Sequence, residues 1–177
     1  MKTLFNTLLL ILVAYSSNAW ADRGDQYVLG KLGVISVKLN NADTLGSIGL
    51  LYGYGLTPKV SIESELNLGL LGGKYEQKNS AGAVFEEGDY RIWTLAGYGV
   101  YRFPLTDVTY LKAKFGLLYE NVKRSGRISD KISKGFGLAG GVGAGTRIAD
   151  TLTLEGEITS IDKDIIFFSV GLHYAVK

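Results

Sequence analysis

Along most of the chain apolar and polar residues alternate with a period of two, the spacing of strands with two unlike faces rather than of helices. The stretch VSIESELNLGL, Val60 to Leu70, shows it most cleanly. Val60, Ile62, Leu66, Leu68 and Leu70 share one parity, with Ser64 its single polar member, while Ser61, Glu63, Glu65, Asn67 and Gly69 share the other. Segments of this kind predict eight strands, approximately Gln26 to Leu39, Thr44 to Leu56, Val60 to Leu70, Tyr90 to Phe103, Val108 to Val122, Ile132 to Ile148, Thr151 to Ser160 and Ile165 to Val176.

The connections are of two kinds. LTPK (56 to 59), PLTD (104 to 107) and ADT (149 to 151) are tight, and both prolines, Pro58 and Pro104, sit in them, where they deprive no central ladder of a donor. GGKYEQKNSAGAVFEEGDY (72 to 90) and KRSGRISDK (123 to 131) are longer and charged. Short turns at one end and longer polar loops at the other are the asymmetry of an eight-stranded, antiparallel, up-and-down transmembrane β-barrel. After each tight turn one plan recurs: VSIESEL, VTYLKAKF and TLTLEGEI place two like charges two residues apart, at Glu63 and Glu65, Lys112 and Lys114, Glu155 and Glu157. This is a repeated hairpin in a meander, not a solenoid.

Alternation alone leaves the two faces unassigned, since a soluble lipocalin-like carrier in the periplasm would be apolar within and polar without. Three features point the charges inward. The charged parity is also rich in small residues, with Gly69 beyond Glu65 and Gly116 beyond Lys114, although Gly156 departs from this; a barrel of eight strands has room only for its own side chains. The apolar parity carries aromatics near the strand ends, Tyr54 and Tyr174 on the turn side and Tyr119 and Phe136 on the loop side, as in two interfacial girdles. The glutamates of the third and seventh segments also face the lysines of the fifth, with Arg147 a further candidate partner. Buried charges need such partners, because an uncompensated one costs several kcal/mol. The expected interior is a plug of ion pairs rather than a pore. The first and fourth segments do not resolve: Lys31 shares its parity with Leu29, Ile35 and Val37, and RIWTLAGYGVYRF is apolar on both parities, which a bulge or a partly apolar lumen would explain.

Composition refines this picture. Lys2, an apolar stretch from Leu4 to Tyr15 and then Ala19-Trp20-Ala21 have the form of a signal peptide with an A-x-A cleavage site, so residues 1–21 are expected to be a leader and 22–177 the barrel domain. Without Lys2 the balance is 18 Lys and Arg against 17 Asp and Glu, which offers no global attraction for nucleic acid. There are no cysteines to staple an exported domain, and no run of 18 apolar residues follows the leader, which excludes a helical membrane protein.

The last segment, IIFFSVGLHYAVK, carries a glycine with hydrophobic residues three and five positions later, Gly171, Tyr174 and Val176, and ends on Lys177 rather than on an aromatic residue. Together with YGVYRF (98 to 103) and GLAGGVGAG (137 to 145), it makes the chain from residue 22 to 177 resemble the small eight-stranded outer-membrane barrels, the OmpA-like and OmpX/Ail-like domains. The resemblance implies residence in the outer membrane of a Gram-negative cell, insertion by the outer-membrane assembly machinery, contact with outer-membrane lipid and lipopolysaccharide, and a monomer. It leaves activity open among adhesins, complement-resistance factors and membrane-structural proteins.

Several motifs suggest other chemistry. GFGLAG, Gly135 to Gly140, satisfies G-x-G-x-x-G, but a dinucleotide site needs that run between a strand and a helix, and here alternating strand follows. His173, the only histidine, raises a lipid A-modifying enzyme as an alternative. Ser169, on the same parity, lies about 13 Å away along an extended strand, too far for a hydrogen bond. Glu86, Glu87 and Asp89 could hold Ca²⁺ loosely and read more simply as a solvated loop. From Lys123 to Lys134, Lys123, Arg124, Arg127, Lys131 and Lys134 stand against Asp130 alone, a composition suited to lipopolysaccharide phosphates or polyanionic host surfaces. The expectation is a non-enzymatic barrel without catalytic, metal or cofactor site, holding a candidate host or surface ligand through loops 72–90 and 123–131.

Overall fold

The computed structural model describes residues 24–37, 44–70, 73–78, 84–126, 130–161 and 165–176. The expected leader, 1–21, lies outside them. Nine strands follow one another: β1 (Gln26–Val37), β2 (Leu45–Gly55), β3 (Val60–Gly69), β4 (Gly73–Lys78), β5 (Val84–Pro104), β6 (Thr109–Gly126), β7 (Asp130–Ala149), β8 (Leu152–Ile161) and β9 (Ile165–Val176). All ladders are antiparallel, in the order β3-β2-β1-β9-β8-β7-β6-β5-β4, with a further β3–β5 pairing.

That last pairing closes the barrel. β3 lines β5 from Val60 opposite Tyr101 to Leu68 opposite Trp93, and β4 continues from Gly73 opposite Tyr90. β3 and β4 therefore occupy one stave, and the wall has eight positions with its edges paired, as backbone groups facing hydrocarbon require. Two of the tight turns share one device. Leu56 and Thr57 donate their backbone N–H groups to the Val60 carbonyl, while Thr57 Oγ1 accepts from Val60 N at 3.0 Å; Leu105, Thr106 and Thr109 repeat the arrangement. The threonine hydroxyl thus holds each loop in shape without a glycine.

The two faces are sharply unlike. Ile62 is 51% exposed and Leu66 38%, whereas Glu63 and Glu65 beside them are 3%. Leu32, Leu50, Phe115, Leu117, Phe136, Val142 and Leu172 also point outward. An apolar exterior around a charged interior is the reverse of a soluble carrier and suits a barrel in lipid. Aromatic rings mark both margins: Trp93, Tyr119 and Phe136 meet with centroids 5.5 and 5.0 Å apart on the side away from the tight turns, and Tyr101 and Phe103 meet at 4.4 Å near them.

β2, β3 and β8 have 11, 10 and 10 residues, close to the length that crosses a bilayer. β5, β6 and β7 have 21, 18 and 20. Their surplus lies opposite the tight turns and carries the wall on the order of 20 Å beyond its neighbours. This differs from the loops expected at 72–90 and 123–131: β4 and the start of β5 occupy most of the first, and the ends of β6 and β7 flank 127–129, which lie outside the described residues, in the second. Above the membrane a strand has water on both faces, so its backbone ladder continues while the hydrophobic contrast that reveals it in sequence disappears.

The two unresolved segments are explained by a partly apolar lumen. β1 turns Tyr27, Leu29, Lys31 and Ile35 inward, and β5 turns Tyr90, Ile92, Ala96, Tyr98, Val100 and Arg102 inward while Trp93, Leu95 and Phe103 face out. Spin labels placed singly at Ile62 and Leu66 in bilayer-reconstituted protein are expected to be accessible to dissolved oxygen, and labels at Glu63 and Lys112 to be shielded from it; the reverse pattern would mean that the wall is inside out.

Candidate functional site

Eight buried charges meet in the lumen: the carboxylates of Glu63, Glu65, Glu155 and Glu157, and the cations of Lys31, Lys112, Lys114 and Arg102. Four negative charges stand against four positive ones, and none of the eight residues is more than 6% exposed. Their placement follows from strand periodicity, since like charges two residues apart on β3, β6 and β8 point the same way at successive heights.

They form two linked tiers. In the tier farther from the tight turns, Lys31 bridges Glu65 at 2.6 Å and Glu157 at 2.9 Å, and Lys114 bridges the same two carboxylates at 2.8 and 2.5 Å. The result is a closed square of alternating sign. Asn67 donates to Glu65 at 2.7 Å, Thr159 donates to Glu157 at 2.9 Å, and the Lys114 ammonium lies 4.1 Å from the ring centre of Tyr98. In the tier nearer the turns, Arg102 reaches Glu63 at 3.0 Å, Ser61 at 2.7 Å and the Tyr27 hydroxyl at 2.8 Å; Tyr27 in turn donates to Glu63 at 2.7 Å, and Tyr110 donates to Glu155 at 2.5 Å. Lys112 joins the tiers, touching Glu63 at 3.0 Å, Glu155 at 2.8 Å and Glu157 at 3.0 Å. One ammonium thus faces three carboxylates.

Room for these long side chains comes from glycine. Tyr27 lies across Gly53 and Tyr110 across Gly145, their partners in register, and a Cβ at either glycine would fall within the tyrosine ring. Gly141 and Gly143 extend the low row on β7 beside Lys114 and Lys112. Apolar side chains adjoin the network: Tyr27, Leu29 and Leu51 form one buried cluster beside it, and Ile35, Leu45, Tyr90, Ile92, Leu118, Val122, Ile165 and Phe167 belong to a larger one on the side away from the tight turns.

Other residues singled out by sequence fall in different places. Arg147, expected in the lumen, is exposed beside the β7–β8 turn, where the register shifts between Arg147 and Ala149. The arginine of the network is Arg102, which stands opposite Lys112 in register and was hidden in the segment apolar on both parities. His173 and Ser169 lie on the lumen row of β9; the imidazole stacks on Tyr27 at 4.3 Å, its Nδ1 is buried without a hydrogen-bond partner, and among the described residues no serine hydroxyl pairs with it. GFGLAG lies wholly within β7 and opens no helix. Asp89 is exposed, the side chains of Glu86 and Glu87 lie outside the described residues, and among those residues no metal-binding cluster forms. Of the basic run, Lys123 and Lys134 are exposed, Arg127 lies outside the described residues, and so do the side chains of Arg124 and Lys131.

A closed antiparallel barrel with an apolar exterior and two aromatic margins now has a counterpart among known proteins: residues 7–174 match the model of the outer membrane protein beta-barrel domain. The chain belongs to that family. No protein among those with curated descriptions matches it. Solved structures with the same fold include the outer membrane protein OprG of Pseudomonas aeruginosa, with a TM-score of 0.71, 13% identity and coverage of 90% of this chain and 99% of that one. A major outer membrane protein of Thermus thermophilus gives 0.62 and 13%, covering 86% and 99%, and the attachment invasion locus protein Ail of Yersinia pestis gives 0.57 and 12%, covering 88% and 99%. The protein is thus an outer membrane β-barrel located in the cell outer membrane, and the carrier alternative is set aside by family and by the direction of its apolar face.

In such a barrel the charges have no bulk water to return to, so removing a shared cation is costly. Lys112→Met leaves three carboxylates short of a partner and is expected to lower unfolding free energy by about 3–5 kcal/mol. Urea unfolding in phospholipid vesicles, followed by Trp93 fluorescence, measures this; an unchanged midpoint would contradict the role of Lys112 as the link between tiers.

Proposed function

We propose that the protein is a closed, non-conducting outer-membrane barrel whose activity resides on its projecting β4–β7 wall, where it makes contacts at the cell surface. The supporting observation is the filled interior. Eight charges compensate one another within hydrogen-bonding distance, with buried apolar clusters packed beside them. A barrel of this strand number has little space beyond its own side chains, and aqueous channels belong to much wider ones. What remains for recognition is the rim, and there one side of the wall stands higher than the other. In this reading the tight turns face the periplasm and the long hairpins face outward, as in barrels that present longer loops to the exterior. Adhesion or stabilisation of the envelope would follow from those hairpins, with no catalytic chemistry required of the lumen.

Two measurements test this. Purified protein in planar bilayers is expected to show no large steady conductance, whereas a porin-sized current would defeat the closed lumen. Deleting residues 74–88 should leave the heat-modifiable gel mobility of a folded barrel intact while reducing cell binding and serum survival. If both properties persist at wild-type level in the deletion strain, the projecting wall has no such role.

A further inference from the structure

The lipid-facing wall of β6–β8 is interrupted where it lacks side chains. Over most of this face large apolar residues stand outward, among them Phe115, Leu117, Leu138 and Leu154. Nearer the tight turns, register puts Leu111, Ala144 and Gly156 in one row and Ala113, Val142 and Ile158 in the next. A groove of about 610 Å³ results, floored by Ala144 and Gly156 and flanked by Phe103, Leu111, Val142 and Ile158. The small residues on the lumen face of β7 are explained by the network, since Gly141 and Gly143 make room for Lys114 and Lys112. Those on the lipid face are not. A Cβ at Gly156 would meet nothing within 4 Å among the described residues, so no packing within the chain requires glycine there. Glycine weakens a strand interior, and it recurs where a ligand or another backbone comes close.

We infer that this groove holds one straight acyl chain of a diacyl phospholipid, the lipid of the periplasmic leaflet. Three observations select that occupant. The groove is continuous with the lipid-facing wall, so hydrocarbon rather than water surrounds it. Its turn-side end lies at the Tyr101 and Phe103 rings, whose centroids are 4.4 Å apart, at the level where aromatic belts meet headgroups. One row closer to the turns the Thr109 and Thr146 hydroxyls meet at 3.4 Å; two hydroxyls in contact share one proton and leave the other free to be donated to an ester carbonyl. A chain lying over Ala144 and Gly156 touches the wall on its floor and both flanks, whereas a chain on the neighbouring ridges touches it on one side. Each added carbon contact is small, and a row of methylenes sums many of them. The volume lies within the roughly 300–1,000 Å³ of small-molecule sites. The choice of leaflet rests on the proposal that the tight turns face the periplasm.

The test titrates the full-length protein in detergent micelles with dipalmitoyl phosphatidylethanolamine and counts bound lipid by native mass spectrometry. The wild type is expected to retain one lipid. The double variant Ala144→Leu, Gly156→Val, which fills the groove, should bind about fivefold or more weakly. Gly97→Val, on the outer face of β5 where an added Cβ also meets nothing within 4 Å, should bind as the wild type does. Diphytanoyl phosphatidylethanolamine, with the same headgroup on methyl-branched chains, should bind the wild type as weakly as the straight-chain lipid binds the filled variant. Heat-modifiable mobility confirms that each variant is folded. Equal retention by wild type and filled variant, or equal retention of the two lipids, overturns the site. A protein dimer in place of the lipid adduct, lost in the filled variant, overturns it in favour of a second copy of the chain. Labelling of Ser125→Cys in whole cells by an impermeant maleimide reports orientation separately: labelling from outside with failed lipid binding rejects the groove alone, and labelling only after the outer membrane is opened overturns phospholipid as its occupant in the cell.

Discussion

The cost of holding a charge away from water governs this molecule. Eight ionised side chains inside a narrow tube would be prohibitive singly, because each loses several kcal/mol of hydration. They persist because every one has at least one oppositely charged neighbour within about 3 Å. The compensation is collective. Glu157 touches Lys31, Lys112 and Lys114, and Lys112 touches three carboxylates, so no pair can be removed without leaving a remainder. Glu63 Oε2 and Glu157 Oε2 have no well-directed hydrogen bond, yet each lies 3.0 Å from the Lys112 ammonium, which makes their stabilisation chiefly coulombic.

Such a network needs space that the wall must supply. The side chains of Tyr110, Lys112 and Lys114 project from β6 toward the lumen, and the register partners on β7 are Gly145, Gly143 and Gly141. Large residues on one strand are thus met by almost none on the next, which keeps volume constant around the tube, as close packing demands. The glycine row just beyond GFGLAG is here the negative of its neighbours' shape. Its conformational cost is borne by a continuous ladder on both sides.

How much of this could be read from sequence depended on contrast between faces. On β3, β6 and β8 one face meets lipid and the other meets charge, so the period of two assigns inside and outside residue by residue, and six of the eight lumen charges were legible as three repeated pairs. On β5 the contrast fails, because Tyr90 and Ile92 fill an apolar part of the lumen while Trp93 and Leu95 meet hydrocarbon. Arg102 was therefore lost among hydrophobic residues on both parities, and Lys31 stood among Leu29 and Ile35 for the same reason. β4 was illegible from the opposite cause: beyond the membrane neither face is apolar, so Gly73 to Lys78 has the composition of a loop while pairing as a strand. Arg147 misled because its parity matched the lumen but its height did not.

The same constraint separates the parts of the molecule that can respond to a partner from those that cannot. Inside the barrel, opposite charges already satisfy one another, so a ligand entering there would have to break ion pairs before it made any new contact. On the outer rim the balance is different. There the β5–β6 ladder sets exposed Arg91 against exposed Lys123, with exposed Asp89 two residues along β5. The barrel thus spends its pairing internally, and under the proposed function the wall and rim, rather than the middle, are where a partner would be met.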